Sequence, residues 1–288
     1  MKKFFLFAVF ISIYTFSPVC SAQDLWSQAL GARGLGLGDG IIATGTGSDA
    51  LASNPAGMSL IKSYIWENYY RYNSSTNTHL ANTAFVDSYL NERVAAGAYY
   101  THRYGQREIY YNNESREVKE NLAKGGVAIS IKFTDYLVLG VNGYYYDWEF
   151  GEEGKDGFSM DAGAIIAVGK TFFVGLSAYD LFTGHSDSNP WSFGAAGGLK
   201  LLNGKIISEV DVILEGEDLW FRGGAEYFAT QGFAIRAGGG YRKRFEQKYI
   251  TFGVGYIKPK SSIEVGFRKD FTGSDAVYFG LDIRFFIH

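Results

Sequence analysis

The residue types that most often carry out catalysis are sparse in this sequence of 288 residues, which contains four histidines and one cysteine. The histidines are His79, His102, His185 and His288, and none has a serine, carboxylate or second histidine at catalytic or metal-binding spacing on the same strand. His102, which lies close to Tyr104, is the best candidate for a catalytic residue. The spacing favours a protein that is neither an enzyme nor the carrier of a cofactor.

Three acidic residues, Glu152, Glu153 and Asp156, stand close together in a glycine-containing segment. Carboxylates in such a loop are the ligands that divalent cations prefer. A solvated charged loop has the same composition, and we favour that interpretation. The sequence therefore predicts no metal site.

The N-terminus has the layout of a secretory signal peptide. Lys2 and Lys3 precede the apolar stretch 4–16, and small residues lead up to Ala22. We expect cleavage after Ala22. The alternative, lipoprotein cleavage before Cys20, is less favoured because the bulky Val19 stands where a small residue is required.

Cleavage after Ala22 has two consequences for function. It removes Cys20, the only cysteine, which excludes disulfides, thiol catalysis and a cysteine-ligated metal in the mature chain. It also removes two lysines and no acidic residue, leaving 25 basic against 30 acidic residues and a net charge of −5. Such a chain has no basic surface that would indicate a nucleic-acid partner.

The composition combines an excess of glycine with an excess of aromatic residues. The chain has 37 glycines, and 17% of its residues are Phe, Trp or Tyr. Disordered chains are poor in aromatic residues, and helices are destabilised by glycine. The composition therefore favours an all-β protein. No stretch after the signal peptide is an apolar run of about 20 residues, so a membrane-spanning helix is not predicted.

Apolar and polar residues alternate with the period of a β-strand along most of the chain beyond residue 60. In the last segment, Phe279, Leu281 and Ile283 share one face, while Gly280 and Asp282 share the other. The same alternation recurs at 127–134, 206–214, 233–242, 250–256 and 263–268. These segments run for about ten residues, the length at which a tilted strand crosses a bilayer.

The connections between the predicted strands alternate between long and short. The longest are Gly105–Asn121, Gly151–Gly157 and Thr183–Pro190, and tight turns such as Gly169–Lys170 separate them. Long loops at one end and short turns at the other are typical of outer-membrane barrels. We therefore predict a transmembrane antiparallel β-barrel of about 14 strands. The alternative is a secreted β-sandwich, which rarely needs so many long strands in one meander.

Aromatic residues cluster near the ends of the predicted strands, which is typical of the girdles at the two membrane interfaces. We predict such girdles from the following groups: Tyr69, Tyr70 and Tyr72; Tyr99 and Tyr100; Tyr144, Tyr145, Tyr146 and Trp148; Trp220 and Phe221; Tyr227 and Phe228; Phe285 and Phe286.

In a barrel, the polar faces of the strands line the interior. Their mixed charges indicate pairing across neighbouring strands, although a lining that selects a solute is the alternative. The predicted lumen residues are Glu209, Asp211, Arg222, Glu226, Arg236, Glu264, Arg268, Asp282 and Arg284.

The segment before the barrel is rich in glycine and does not alternate. Its three conspicuous stretches are 31–38 (GARGLGLG), 48–51 (SDAL) and 54–57 (NPAG). Together they resemble the mature N-terminus of the FadL-type outer-membrane transporter superfamily, which includes PorV- and PorQ-like barrels. The resemblance implies that residues 23–59 form a hatch inside a barrel of residues 60–288. It also implies that Asn54, Pro55, Ala56 and Gly57 form the hatch turn that gates or seals the barrel.

The resemblance implies an outer-membrane protein, in contact with lipid, for passive uptake of hydrophobic or amphipathic small molecules of fatty-acid type. Two alternatives remain: a PorV-like scaffold that binds a secreted or surface protein without transport, and a nonspecific pore. The chain departs from the family in its short external loops and in its ending, where Ile287 and His288 follow the last aromatic residue.

Overall fold

Fourteen antiparallel strands form a closed barrel, and this confirms the predicted strand number. The computed structural model describes residues 31–111, 114–182, 185–186, 189–230, 232–272 and 275–287. Each barrel strand pairs with its neighbours in the chain, and the first strand, Tyr64–Asn73, closes the barrel by pairing with the last, Val277–Ile287. An even number of strands returns both chain ends to the same side of the membrane.

The barrel strands are β1 (Tyr64–Asn73), β2 (Thr78–Asp87), β3 (Val94–Tyr111), β4 (Glu114–Lys132), β5 (Leu137–Phe150), β6 (Glu153–Val168), β7 (Phe172–Tyr179), β10 (Ser192–Leu201), β11 (Ile206–Glu215), β12 (Asp218–Thr230), β13 (Phe233–Arg242), β14 (Gln247–Ile257), β15 (Ser261–Asp270) and β16 (Val277–Ile287). The short strands β8 (His185–Ser186) and β9 (Asn189–Pro190), between β7 and β10, pair with each other and, among the described residues, with no other strand.

The outer face of the barrel wall is apolar and the inner face is polar, the reverse of the arrangement in a water-soluble protein. Along β14, the outward residues Ile250, Phe252 and Val254 are exposed, whereas the inward Thr251 is buried. Because successive side chains of a strand point to opposite faces, one apolar and one polar set arise from the same alternation. An apolar exterior around a polar interior is the arrangement of a membrane-spanning barrel.

Two of the predicted loops are strand. The segment Gly105–Asn121 lies almost wholly in the β3–β4 hairpin, where Gly105 pairs with Glu120 and Tyr111 pairs with Glu114. The segment Gly151–Gly157 likewise reduces to a tight turn followed by the start of β6. Both hairpins are longer than a bilayer crossing needs, so they continue beyond the membrane. There both faces meet water, and the apolar alternation that identifies a strand disappears.

The prediction of aromatic girdles is wrong for one residue in several of the consecutive aromatic pairs. Tyr70 and Tyr145 are exposed on the outer surface, but Tyr69, Tyr99 and Tyr144 are buried on the inner face. Trp220 is also buried, next to the exposed Phe221. Because neighbouring residues of a strand face opposite ways, two consecutive aromatic residues cannot both belong to the outer surface.

The described part of the predicted hatch, residues 31–59, lies inside the barrel and is buried almost throughout. It contains helix α1 (Ala32–Gly36), a 3-10 helix (Gly47–Asp49), helix α2 (Ala50–Ser53) and a second 3-10 helix (Pro55–Leu60). Helix α1 packs against β13–β16, and the second 3-10 helix packs against β3–β6.

Within the described residues, no helix has the length and apolar character needed to cross a membrane. The predicted signal peptide 1–22, residues 23–30 of the hatch, and His288 lie outside the described residues.

Candidate functional site

The predicted hatch turn, 54–57, lies against the inner wall where β5, β6 and β7 run side by side. Asn54 caps the following 3-10 helix, because its Oδ1 accepts a hydrogen bond of 3.2 Å from the Ala56 N–H. Pro55 occupies the first position of that helix, where its fixed φ is already suitable and no N–H is required. The local sequence therefore determines the shape of the turn.

The Asn54 side chain also connects the hatch to the barrel wall. Its Nδ2 donates to Ile42 O of the hatch at 2.9 Å, and lies 3.1 Å from Ala164 O and 3.2 Å from Leu176 O. Ala164 and Leu176 are register partners in β6 and β7. One hatch side chain thus spans the junction between these two strands.

Two wall glycines allow the hatch turn to approach the wall. A Cβ atom on Gly163 of β6 would overlap Asn54 Oδ1, and one on Gly140 of β5 would overlap the backbone at Ala56. Gly140 and Gly163 are register partners, so they form one flat patch under the Asn54–Ala56 turn. Ser130 of β4 adds a hydrogen bond of 2.8 Å to Ala56 O.

Glu209 of β11 fastens a second stretch of the hatch. Its carboxylate accepts hydrogen bonds from the Ala43 N–H at 2.5 Å and from the Thr44 N–H at 2.8 Å. The Thr44 hydroxyl donates to the same carboxylate at 2.5 Å. Glu209 was predicted as a lumen residue, and in the structure it satisfies backbone groups of the hatch that would otherwise be buried without partners.

A buried ion-pair network connects the hatch to the opposite wall. Arg33 of the hatch lies 3.1 Å from Glu226, and Glu226 lies 2.6 Å from Arg236, which reaches Glu264 at 2.5 Å. The same Arg33 is 3.2 Å from Asp49 of the hatch. These residues place β12, β13 and β15 in one network with the hatch.

Arg284 of β16 closes this network from the other side. Its guanidinium lies 2.6 Å from both Asp49 and Asp282, and 2.8 Å from Glu67. Buried charges of opposite sign at these distances stabilise one another, and each would be unfavourable alone. The network therefore positions the hatch.

The remaining predicted lumen residues are Asp211, Arg222 and Arg268. Arg222 lies 3.7 Å from Asp211, on the paired strands β12 and β11. Arg268 lies 2.7 Å from Asp270 and 3.7 Å from Asp39 of the hatch. All nine predicted lumen residues are inward and buried, and Glu209, Glu226, Arg268 and Arg284 are among those that contact the hatch directly.

The sequence prediction missed three charged members of the network: Glu67 of β1, and Arg33 and Asp49 of the hatch. Glu67 is completely buried and forms a short hydrogen bond with Ser48. In the sequence, Glu67 can be recognised only as the one acidic residue of β1, on the same face of the strand as the buried Ile65. The hatch residues had no such signal, because their segment has no strand alternation.

The β6–β7 ladder is shorter than strand β6 itself. It joins Ala162–Val168 to Phe172–Ala178, whereas β6 continues outward through residues 153–161. The chain turns away from the ladder at Asp180, which has a left-handed backbone with φ of 57°. Leu181 N keeps a backbone hydrogen bond to β6 there, at 2.9 Å from Met160 O, and Phe182 N donates to the Ser159 hydroxyl oxygen at 3.4 Å. We call this place the β6/β7 seam.

A polar cluster that the sequence prediction missed holds the chain at the seam. Asp180 N–H donates to Asp161 Oδ1 at 3.0 Å, and Asp180 accepts a short hydrogen bond from the Tyr144 hydroxyl. Lys124 Nζ lies 3.6 Å from the centre of the Tyr144 ring. Burial, together with the nearby Asp161 carboxylate, raises the pKa of Asp180, in the loop after β7, to about 6.

The outer surface of the seam is a shallow hollow of about 590 Å³. Its floor consists of small side chains, among them Ala162, Ala164 and Ala178, and Phe193 and Leu214 are among the larger residues that border it. Gly163 and Ser177 also line it, although their side-chain positions face inward. The wall is therefore thin where Asn54 touches it from inside.

The residues considered for catalysis or metal binding lie elsewhere. His102 is on β3, where its Nε2 is 2.7 Å from Asn121 Oδ1 and its ring centre is 5.5 Å from that of Tyr104. Tyr104 is exposed on the outer surface of the barrel. Among the described residues, no group of three or more His, Cys, Asp or Glu side chains is placed to hold a metal ion.

Comparison with known proteins identifies the fold through structure alone. No protein-family model and no curated protein matches the sequence. The structure is similar to the monoaromatic hydrocarbon channel CymD, with a TM-score of 0.74 and 10% identity, over 90% of this chain and 98% of that one.

Two other similar structures are the Ralstonia pickettii toluene transporter TbuX and a Pseudomonas aeruginosa FadL homologue. TbuX has a TM-score of 0.65 and 13% identity, over 90% of this chain and 97% of its own. The FadL homologue has a TM-score of 0.67 and 12% identity, over 90% of this chain and 99% of its own. The chain thus has the fold of the FadL-type outer-membrane β-barrels, as its N-terminal motif implied.

Proposed function

We propose that this barrel lets hydrophobic small molecules pass through the outer membrane without an energy source, and that they leave the lumen sideways at the β6/β7 seam. The observation that carries the proposal is the end of the regular β6–β7 ladder at Ala162, beyond which residues 180–182 keep only separate hydrogen bonds to Asp161, Met160 and Ser159 of β6 among the described residues. The named functions of the similar structures, hydrocarbon and toluene transport, agree with this proposal.

The position of the seam suits exit into the membrane. From Val168 to Ala162 the ladder rises about 20 Å along the strand at about 3.3 Å per residue, or about 15 Å along the membrane normal at a tilt of about 40°. The apolar band of an outer-membrane barrel is about 25 Å tall. The regular β6–β7 ladder therefore ends within the hydrocarbon region, on its outer side.

The chemistry of the seam also suits an apolar molecule. Phe158 and Phe182, on either side of the seam, are exposed by 75% and 66%. Exposed aromatic side chains and the small-residue hollow below them offer contacts to a hydrocarbon and few hydrogen bonds. Inside the wall, the Asn54 turn bonds both strands of the seam, and we propose that its displacement widens the opening.

A pair of engineered disulfides tests this route, in a chain whose only cysteine, Cys20, falls in the predicted signal peptide. Met160→Cys with Leu181→Cys joins the chain to β6 across the seam. Ala162→Cys with Ala178→Cys joins two residues already paired in the ladder, and serves as the control. Uptake of radiolabelled toluene is measured in a bacterial host with the disulfides oxidised and reduced.

We expect oxidation to reduce uptake severalfold only for the pair across the seam. Equal uptake in both oxidation states of that pair would contradict a lateral exit. Uptake no greater than in cells without the barrel would contradict transport altogether and favour the scaffold. Equal passage of a small hydrophilic solute would indicate a nonspecific pore.

A further inference from the structure

The buried ion-pair network around Arg284 contains more carboxylates than cations. Its members, each at most 3.9 Å from the next, are the guanidinium groups of Arg33, Arg236 and Arg284 and the carboxylates of Asp49, Glu67, Glu226, Glu264 and Asp282. Four of these carboxylates lie between 2.6 and 3.9 Å from Arg284 itself. With every group ionised, five negative charges would face three positive ones inside the barrel, which leaves an excess of two negative charges.

Three of the five carboxylates have a donor at both oxygens. The two oxygens of Glu226 lie 2.6 Å and 3.1 Å from guanidinium nitrogens, and those of Asp49 lie 2.6 Å and 3.2 Å from such nitrogens. Glu264 has one oxygen 2.5 Å from Arg236, and its other oxygen accepts a hydrogen bond of 3.1 Å from the Ser262 hydroxyl. These three carboxylates therefore balance the three guanidinium groups of the network.

The other two carboxyl groups, Glu67 and Asp282, each have one oxygen without a donor. They lie diagonally across the β1–β16 ladder, both completely buried, and each has its second oxygen at Arg284. Glu67 Oε1 and Asp282 Oδ1 have no hydrogen-bond partner. Such an oxygen is more costly on a carboxylate than on a neutral acid, because a charge loses more hydration on burial. The two carboxyl groups in excess of the cations are thus the two that lack donors.

The surroundings of the network supply no further cation to these two groups. Lys200 of β10 and Arg71 of β1 also point inward, but neither forms an ion pair with a carboxylate in the described part of the chain. Lys200 lies 4.5 Å from the centre of the Phe173 ring, and Arg71 lies 5.8 Å from the centre of the Tyr278 ring. The sequence of 23–30, which precedes the described part of the hatch, has no Lys, Arg or His.

The hatch covers the network closely. A Cβ atom on Gly31 would lie 2.7 Å from Arg284 Nη2 and 3.3 Å from Asp282 Oδ2, and the Ser48 hydroxyl forms a short hydrogen bond with Glu67. Over the described ranges, no three acidic or histidine side chains are arranged to hold a metal ion. A proton neutralises a carboxylate without needing a site of its own size, so it suits this packing better than a metal ion does.

We infer that Glu67 and Asp282 form a proton-binding pair, uncharged at neutral pH, whose ionisation in alkaline solution releases the hatch. Neighbouring carboxyl groups with too few cations retain protons, because an additional negative charge has no partner. Ionised Asp282 would also lie directly opposite Glu264 in the β15–β16 register, where like charges are destabilising. Docking of the hatch is therefore strongest with the pair protonated, and it weakens as the pH rises through the titration of the pair.

The titratable and charged groups that face the pair lie on the hatch and on six strands. They are Arg33, Asp39 and Asp49 of the hatch, Tyr69 and Arg71 of β1, Lys200 of β10, Glu226 of β12, Arg236 of β13, Glu264 of β15 and Arg284 of β16. The guanidinium groups keep their charge throughout the range in which carboxyl groups titrate. This inference does not depend on which molecule passes through the barrel, because the docking of the hatch can be measured without transport.

Infrared spectroscopy of the mature barrel in nanodiscs tests the inference, since the C=O band of a protonated carboxyl group is separate from the bands of a carboxylate and an amide. The test variant combines Glu67→Gln with Asp282→Asn, which fixes both side chains in an uncharged form. The control is Asp218→Asn, which removes a buried carboxylate of β12 that has a donor at each oxygen. Hydrogen exchange of peptides covering residues 47–53, corrected for its intrinsic pH dependence, reports the docking of the hatch.

We expect the test variant to lose intensity of the protonated-carboxyl band at neutral pH, while the control retains it. Between about pH 7 and about pH 10, the wild type should lose the same band and its hatch should exchange about tenfold faster or more, with β4 and β5 unchanged. In the test variant, hatch exchange should stay at the wild-type neutral value throughout that range.

An unchanged protonated-carboxyl band in the test variant would overturn the inference. So would rapid hatch exchange in that variant at neutral pH, because it would show that Arg284 requires both groups as anions. The titration of the wild type needs no substitution, so it decides the matter even if the test variant does not fold. Wild-type hatch exchange that does not change as the pH rises would likewise overturn the inference.

Discussion

Replacement of Asn54 by alanine should release the hatch turn from the β6/β7 seam while leaving the barrel folded. The change removes the cap of the 3-10 helix and the donor to Ile42, Ala164 and Leu176. An amide nitrogen has two N–H groups, so at most two full hydrogen bonds are lost besides the cap. At about 1 kcal/mol for each, the docked hatch loses about 2–4 kcal/mol.

This loss corresponds to an increase of about 30- to 700-fold in the population of the undocked turn, since about 1.4 kcal/mol is a factor of ten. Hydrogen exchange measured by mass spectrometry on peptides covering residues 41–60 reports that population directly. We expect faster exchange by that factor in Asn54→Ala, and unchanged exchange in strands β12–β15. Ser75→Ala, in the exposed β1–β2 turn, is the control.

Asn54→Asp provides a second, sharper comparison. It preserves the shape of the side chain but places a carboxylate oxygen where the donor lies, 2.9–3.2 Å from three carbonyl oxygens. We expect at least as much exchange as in the alanine variant. Wild-type protection of residues 41–60 in both variants would refute the inference that Asn54 holds the hatch.

Three further predictions concern the other anchors. Arg284→Met should lower the free energy of unfolding by about 3–5 kcal/mol, because Asp49, Glu67 and Asp282 lose a shared buried cation. Denaturant unfolding in detergent measures this free energy, and a decrease of less than about 1 kcal/mol would contradict a stabilising role of the ion-pair network. Glu209→Gln should speed hydrogen exchange at Ala43 and Thr44, since an amide offers only one acceptor oxygen to the two backbone N–H groups. Unchanged hydrogen exchange at these residues would contradict the inference that the Glu209 carboxylate holds this part of the hatch. The docking of residues 180–182 should be most stable below about pH 4 and weaken as the pH rises through about 6, because burial beside Asp161 raises the pKa of Asp180 and favours its protonated form. Hydrogen exchange at Leu181 and Phe182, corrected for its intrinsic pH dependence, should therefore be faster at pH 8 than at pH 5. Faster exchange at pH 5 would contradict this prediction.

The strands within the membrane were predictable from the sequence because a barrel wall has one apolar and one polar face. That alternation places Glu209, Arg236 and Asp282 on the inner face from the sequence alone. It failed for Gly105–Asn121, because a strand that continues above the membrane meets water on both faces. The girdle prediction failed for pairs such as Tyr144 and Tyr145, because it relied on aromatic character. The alternation of the strand correctly places one of the two residues on each face.

The seam could not be predicted, because a missing neighbour is not a local property of a strand. The sequence of β6 is the same whether or not β7 continues beside it. Asp180 tolerates a left-handed backbone better than most residues, but nothing in its neighbours marks it as the point where the chain leaves the ladder. The hatch turn at Asn54 was predictable from its motif, whereas its contact with Ala164 and Leu176 depends on the closed barrel.

Photolabelling can detect lateral exit of an apolar molecule at the β6/β7 seam. An alkylbenzene that carries a diazirine is irradiated with the barrel in a bilayer, and the labelled peptides are mapped with and without excess unlabelled toluene. We expect labelling to be concentrated on residues 153–164 and 176–182, compared with the lipid-facing residues Val127 and Ile129 of β4, and to decrease when toluene is present. Labelling spread over the outer surface, with no reduction by toluene, would contradict it.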